Sequence, residues 1–201
     1  MKKNLLIITW SILMQPDLVA QTKTGIENYN FLSAGEAYVW MPVVHHQWKK
    51  GLYTEMRYNY EEQKTASVYM GKNFTGEKGK LEYSVIPMVG LVFGKYNGAS
   101  VAANIDIGRK KMFLSMQTQY TVNRDDAMNN FFFNWSELGY QPLKWFYAGL
   151  STQITKPWKS RFEPEYGLMA GFIIKKITIP LYVFSPLKSN RNFVIGINAE
   201  W

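Results

Sequence analysis

Apolar and polar residues alternate along most of the chain. The clearest case is the segment 52–62, where Leu52 and Met56 share one parity while Glu55 and Arg57 share the other. Because successive side chains of a strand point to opposite faces, this pattern predicts a strand with one apolar and one charged face. No segment keeps apolar residues at helical spacing over several turns, and glycine or proline recurs throughout. The chain is therefore predicted to be all-β.

Eleven segments have this strand pattern, and they are 36–48, 52–62, 65–74, 80–93, 99–107, 112–122, 131–140, 145–155, 162–174, 177–184 and 192–201. A weaker alternation over 26–34 would add a further strand. An up-and-down barrel whose two ends lie on the same side of a membrane needs an even number of strands. We therefore predict an up-and-down antiparallel transmembrane β-barrel of about 12 strands, with about 10 as the alternative.

The connections between these strands alternate in length toward the end of the chain. In chain order they are 108–110, 123–130, 141–144, 156–161, 175–176 and 185–191, and every second one is longer. Outer-membrane barrels combine short periplasmic turns with longer extracellular loops. The alternation of loop lengths is therefore typical of a barrel that crosses a membrane.

Composition favours the same class. Charged residues make up 19% of the chain, below the ~25% of soluble domains. In lipid, strands can cross only as a closed barrel with an apolar exterior, whereas a soluble barrel would turn its charged face outward. The net charge of +8 often indicates nucleic acid, but the Lys and Arg residues fall mainly in turns, so no nucleic-acid partner is predicted.

The N-terminal residues have the layout of a secretory signal peptide. Lys2 and Lys3 precede an apolar stretch at 5–14, and small residues lead up to Ala20. The apolar stretch is too short to span a bilayer as a helix. The chain has no cysteine, which excludes disulfides. The predicted organisation is a signal peptide at 1–20, an N-terminal segment or weak first strand at 21–34, and a transmembrane β-barrel at 35–201.

The segment 192–201 is apolar on one parity and ends on an aromatic residue. Its apolar side chains include Phe193, Ile195, Ile197 and Trp201. This segment resembles the C-terminal strand of bacterial outer-membrane β-barrels. The repeated hairpin pattern of residues, seen at 58–61 and 133–137, resembles that of functionally uncharacterised outer-membrane barrels of Gram-negative bacteria. The resemblance implies that 192–201 is a membrane-insertion strand. It also implies outer-membrane lipid, the barrel-assembly machinery and periplasmic chaperones as partners, and a location in the bacterial outer membrane.

Polar and charged residues on the opposite parity are the candidates to line the lumen. They are Glu55, Arg57, Glu61, Glu82, Asp106, Gln117, Glu137 and Glu163. These side chains could either line a pore or interlock into a network that plugs it, because buried charges must pair or meet water. We expect Arg57 to lie at a constriction, balanced by Glu55 and Glu137.

Two groups could carry chemistry. His45 and His46 are adjacent, so on a strand they face opposite sides and would not share a metal. A hydrolase would need one of them beside a serine, and the candidates are Ser67, Ser84 and Ser151, none of which lies in a G-x-S-x-G motif. Asp125 and Asp126 could bind calcium or belong to an ordinary solvated loop.

These patterns favour a narrow passive channel or a barrel that binds a small solute. The alternatives are an outer-membrane lipid-modifying hydrolase and a filled structural or adhesive barrel without transport. No catalytic residue, cofactor or metal site is assigned from the sequence.

Overall fold

The fold is a single antiparallel β-barrel. A computed structural model describes residues 22–33, 37–188 and 191–201, so the signal peptide predicted at 1–20 lies outside the described residues. The strands are β1 (Lys23–Ser33), β2 (Val39–Gln47), β3 (Leu52–Tyr58), β4 (Thr65–Lys72), β5 (Phe74–Lys78), β6 (Leu81–Gly94), β7 (Gly98–Arg109), β8 (Met112–Asn123), β9 (Phe131–Leu143), β10 (Phe146–Pro157), β11 (Glu165–Ile174), β12 (Ile177–Phe184) and β13 (Asn192–Glu200).

Consecutive strands pair antiparallel except β4 and β5, and two further pairings close the sheet. β1 pairs with β13, and β4 pairs with β6. β4 and β5 are two parts of one barrel strand because both pair with β6. The predicted 12-strand barrel is therefore confirmed, and the segment with the weak alternation forms β1.

β1 has a weak pattern because both of its faces carry polar residues. Glu27 and Tyr29 point into the barrel, whereas Asn30 lies on the outer face beside the apolar Leu32. Asn30 is held there by its neighbours, since its Nδ2 donates to the Ile195 carbonyl oxygen at 3.1 Å. The alternation of apolar and polar residues therefore predicts β1 poorly, although β1 closes the barrel.

Asn73 interrupts the strand that the sequence predicts to end at residue 74. Its backbone N–H donates to the Gly51 carbonyl oxygen at 2.8 Å, and its side-chain Nδ2 donates to Gln47 Oε1 at 2.7 Å. Beyond this break β5 continues along β6, so the β5–β6 hairpin extends past the turn between β2 and β3. The residues of β5 after Phe74 are mostly polar, which explains why alternation did not predict them.

The two ends of the barrel differ in their connections. One end, here called the turn end, has the short links at 48–51, 79–80, 110–111, 144–145 and 175–176, whereas the opposite loop end carries segments such as 59–64, 124–130 and 158–164. Lys110 and Lys175 adopt positive φ in two of the short turns, at 57° each. Outer-membrane barrels place short turns in the periplasm, which assigns the turn end to that side.

The outer surface of the barrel is apolar. Val89 and Leu91 of β6 are 63% and 66% exposed, and most other outward positions of the described strands also carry large apolar side chains. No helix among the described residues is long and apolar enough to span a membrane. A closed barrel satisfies its backbone groups internally, so this exterior suits a lipid environment.

Inside the barrel, several aromatic rings lie over glycines of the neighbouring strand. Tyr147 faces Gly171 directly across the β10–β11 pair, and Tyr69 faces Gly90 across β4–β6. A Cβ at either glycine would overlap the ring. Glycine on one strand therefore makes room for a large side chain on the next, which lets the rings pack flat against the inner wall.

Candidate functional site

The lumen toward the loop end is filled by side chains. Trp135 packs edge-on against Phe184 and Tyr182, with ring centroids 5.6 Å and 5.0 Å apart. Phe184, Thr65 and Thr121 have no exposed surface. At this level the described inward side chains are packed against one another.

A buried charged group lies next to this packed region. We call it the Arg57 cluster, and it consists of Glu55, Arg57, Tyr60, Glu61, Tyr69 and Gln119. Arg57 Nε donates to Glu55 Oε1, Nη1 donates to Gln119 Oε1 at 2.5 Å, and Nη1 lies 3.9 Å from Glu61 Oε1. The guanidinium carbon also lies 4.3 Å and 4.2 Å from the centroids of the Tyr60 and Tyr69 rings. The positive charge is thus paired on several sides, as a buried charge requires.

The Arg57 cluster bridges strands that are not neighbours. Arg57 lies on β3 and Gln119 on β8, and three strand positions of the barrel wall separate them. Tyr60 makes a second such contact, because its hydroxyl donates to Gln117 Oε1 at 2.6 Å. Tyr60 and Glu61 belong to the 59–64 connection, which folds from the loop end into the lumen. These hydrogen bonds cross the interior of the barrel.

Between the cluster and the turn end lies a chamber of about 440 Å³. Its inner end reaches Tyr60, Gln117 and Trp135, and its mouth is lined by Thr22, Lys175, Lys176 and Trp201. Ligand pockets in proteins commonly have volumes of ~300–1,000 Å³. The chamber is therefore large enough for a small organic solute.

Four carboxylates line the chamber, and three of them accept a hydrogen bond from a hydroxyl group. Tyr29 Oη donates to Glu27, Ser115 Oγ to Asp106 and Tyr182 Oη to Glu137, each at 2.8 Å. His45 Nδ1 lies 3.4 Å from Glu27 Oε1. Near the mouth, Lys23 Nζ lies 3.9 Å from Glu200 Oε1. We call Glu27, Asp106 and Glu137 the chamber carboxylates.

The structure distributes the candidate lumen residues over several places. Glu55, Arg57 and Glu61 meet in the Arg57 cluster, and Gln117 lies directly beneath it. Asp106 and Glu137 lie deeper toward the turn end and line the chamber. Glu82, the second residue of β6, lies at the turn end and does not line the chamber.

Two expectations need correction. Glu163 lies exposed in the 158–164 loop rather than in the lumen, because Pro164 follows it and β11 begins only at Glu165. The second carboxylate at Arg57 is Glu61, not Glu137, whose Oε1 instead accepts from Tyr182. Glu61 reaches Arg57 because the chain leaves the strand pattern after Tyr58 and turns inward.

The sequence pattern missed much of the chamber wall. Glu27 and Tyr29 lie on the weak strand β1, and Trp135 and Tyr182 were not distinguished from lipid-facing aromatics. The aromatic residues on both parities of β9 were the available signal, because an inward row of rings indicates a filled lumen.

The membrane-insertion candidates all lie on the outer surface. Phe193, Ile195 and Ile197 of β13 are exposed, as is Trp201 at its end. β13 joins the barrel to β1 along the full length of the predicted segment. This placement puts the apolar face against lipid, while its part in insertion stays a prediction.

The two histidines lie on opposite faces of β2. His45 points inward toward Glu27 and stacks on Tyr53, whereas His46 points outward, hydrogen bonds Thr24 Oγ1 at 2.8 Å and contacts the Trp48 ring. Within the described part of the chain, neither histidine forms a hydrogen bond with a serine hydroxyl.

The acidic loop at 124–130 uses its oxygens for its own backbone. Asp126 Oδ1 accepts from the Met128 N–H, and Asn123 Oδ1 accepts from the N–H groups of Asp125 and Asp126. Among the described residues, no group of three His, Asp or Glu side chains is arranged to hold a metal ion.

Known structures share this architecture. No protein-family model matches the chain, and no curated protein matches it. The KdgM porin is similar in structure, with a TM-score of 0.61 and 12% identity over 87% of this chain and 98% of that one. KdgM in complex with disordered oligogalacturonate gives a TM-score of 0.61 at 11% identity over 87% of this chain and 98% of that one. OccAB4 of Acinetobacter baumannii gives 0.50 at 9% identity, over 87% of this chain and 56% of that one.

At these identities the likeness shows the fold. The closed barrel, its apolar exterior and the porin architecture together define a porin-like outer-membrane β-barrel. The outer-membrane location predicted from the sequence is confirmed.

Proposed function

We propose that this barrel binds a small solute in the chamber that opens at the turn end, and that the Arg57 cluster controls passage between the chamber and the loop end. The observation that carries the proposal is the position of the chamber. It opens between Lys175 and Trp201 and reaches the underside of the cluster at Tyr60 and Gln117. The protein would therefore act as a narrow passive channel that is closed in the conformation described here.

Part of the Arg57 cluster lies on the 59–64 connection, which is bonded to the barrel wall. Its ends are fixed by Asn59 and Lys64 at φ of 58° and 60°. Glu61 of this connection accepts hydrogen bonds from Ser67 Oγ and Tyr69 Oη, each on β4.

Tyr60 of the same connection also packs on the wall, since its ring centroid lies 5.4 Å from that of Phe133. Withdrawal of Tyr60 would break its hydrogen bond to Gln117 and its contacts with Phe133 and the Arg57 guanidinium. Opening of the channel would therefore require this part of the connection to move away from the wall.

The fold of KdgM supports uptake of a solute. A structure with this barrel architecture carries oligogalacturonate, so a barrel of this fold can admit an organic molecule. The sequence identity between the two chains is too low to infer that this protein binds the same ligand. The solute of this protein must therefore be argued from its own lumen.

Single-channel recording in planar bilayers tests the proposal. We expect small, infrequent steps from the native barrel, and a several-fold higher open probability in Arg57→Ala, because the substitution removes the group that ties β3 to β8. The variant should also prefer cations more strongly, since Glu55 and Glu61 remain. Arg161→Ala, in the exposed 158–164 loop, is the matched control and should behave like the native protein.

A filled structural barrel is the second candidate, and the packed region around Trp135 and Phe184 favours it. This alternative predicts no conductance in either the native protein or Arg57→Ala, and no binding of any solute in the chamber. That combined result would contradict the proposed channel.

A further inference from the structure

We infer that the chamber selects a small organic cation, meaning an ammonium or guanidinium group carried on an apolar or aromatic body. This inference rests on the proposed function, because it names the class of solute that the chamber would take up. It is argued from the charge, the free acceptors and the rings of the chamber wall.

The first argument is the charge of the chamber carboxylates. Asp106 accepts a hydrogen bond from the Ser115 hydroxyl, and Glu137 accepts one from the Tyr182 hydroxyl. Within the described residues, no Lys, Arg or His nitrogen lies within 4.0 Å of either of the two carboxylates. Like charges on Glu27, Asp106 and Glu137 repel one another, and a cation bound between them would offset this repulsion. A buried carboxylate without a counter-charge is unfavourable, and a bound cation would relieve it.

The lysines of the chamber do not supply that counter-charge. Lys175 and Lys176 are exposed on the short turn at the mouth, and Lys23 lies near Glu200 at the same end. Deeper in the barrel, Arg57 is already paired with Glu55 and Glu61. These lysine and arginine side chains therefore lie above and below Asp106 and Glu137 rather than beside them, while His45 faces Glu27.

The second argument is a set of free acceptors. Asn104 Oδ1, Asn198 Oδ1 and Glu200 Oε2 belong to residues that line the chamber, and each is buried without a hydrogen-bond donor among the described residues. Buried acceptors normally find a donor. Ammonium and guanidinium groups have only donors, so they match a wall in which acceptors are in excess.

The third argument is the aromatic wall. The Trp135 ring lies 5.7 Å from Tyr29 and 5.0 Å from Tyr182, centroid to centroid, and the hydroxyls of both tyrosines bond chamber carboxylates. Aromatic faces attract cations and also pack against an apolar body. Rings and carboxylates together favour an organic cation over a hydrated inorganic one.

The arrangement of the carboxylates points away from a metal ion. They lie on β1, β7 and β9, spread around the wall, and the described residues include no three ligands that converge on one position. An acidic sugar is also unfavourable, since its carboxylates would meet like charges. The expected solute is therefore opposite in charge to the oligogalacturonate carried by the KdgM structure.

Calorimetric titration of the purified barrel in detergent at low salt tests the inference. The probes are 2-phenylethylamine, 2-phenylethanol and 3-phenylpropionate, which share a phenyl ring and differ in charge. We expect the amine to bind at least about tenfold more tightly than the alcohol, with no binding of the anion. Equal binding of amine and alcohol, preferred binding of the anion, or binding of Mg²⁺ without binding of the amine would each overturn the inference.

Paired variants test the residues. Asp106→Asn combined with Glu137→Gln keeps the shape of the wall and removes two charges, so amine affinity should fall about tenfold while alcohol affinity stays unchanged. Glu163→Gln makes the same chemical change on the exposed loop and should have no effect. Unchanged amine affinity in the double variant would refute the assignment. The double variant could fail to assemble, as judged by loss of heat-modifiable migration. In that case the affinities of the native barrel for the three probes still decide whether the chamber prefers an organic cation.

The outcomes separate this inference from the proposed function. Conductance or alcohol binding without a preference for the amine would refute the cation selectivity and leave the channel intact. Absence of conductance together with absence of binding by all probes would refute both.

Discussion

Tyr147 shows how single residues fill the interior of this barrel. Its ring lies over Gly171 on the neighbouring strand, where no side chain could fit beneath it. The same relation recurs at Tyr69 with Gly90 and at Phe113 with Gly139. Large rings can therefore line a narrow lumen without pushing the strands apart.

This relation predicts a specific stability defect. Gly171→Ala would place a Cβ against the Tyr147 ring, and overpacking of this kind costs about 1–3 kcal/mol. We expect a lower urea midpoint for the unfolding of the barrel in liposomes, followed by tryptophan fluorescence. In a Tyr147→Leu background, which removes the ring, the same glycine substitution should cost much less. An equal loss in both backgrounds would contradict steric overlap as the cause.

At the scale of strands, the alternation of apolar and polar residues was enough to predict most strands, because the lipid-facing side of each strand must be apolar. The clearest predicted strand, which became β3, alternates sharply, as β6 also does, because their outer residues must be apolar over the whole span. The alternation did not predict β5, because this strand lies beyond the Asn73 break at the turn end and is mostly polar. The lipid requirement thus explains both the success and the failure.

The lumen could be predicted only in part, because its contacts depend on closure. Arg57 is buried on β3, and its bond to Gln119 on β8 exists only once the sheet has curved into a barrel. Glu61 and Glu163 lie beyond the strand ends, where strand parity no longer applies. Which charges meet is therefore a property of the closed sheet rather than of any one segment.

β13 carries the prediction on assembly. Trp201→Ser should reduce the assembled, heat-modifiable fraction several-fold in cells, because Trp201 ends the apolar face of the strand that closes the barrel. Trp158 is a matched control, since it is 46% exposed against 54% for Trp201 and lies in a loop. Equal assembly of Trp201→Ser and Trp158→Ser would refute a special role for the terminal aromatic residue.

For the whole molecule, the distribution of charge suggests how uptake and closure are combined. Acidic groups dominate the described lumen, while the lysines at 175 and 176 surround the mouth at the turn end. Arg57 contacts Glu55 on its own strand, Gln119 on β8 and Glu61 on the 59–64 connection. A solute that enters at the turn end would therefore meet the chamber before it meets the Arg57 cluster.

The seam between β1 and β13 has a consequence for the order of the chain. Thr24 and Trp201 exchange backbone hydrogen bonds of 2.9 Å and 3.0 Å, so the sheet passes from one end of the barrel sequence to the other without a gap. A circularly permuted gene that links these two positions through a short flexible spacer and starts in the exposed 158–164 loop should encode the same barrel. We expect heat-modifiable migration of the permuted protein after refolding into detergent. Assembly of the permuted protein would show that the barrel does not depend on which of its loops is open.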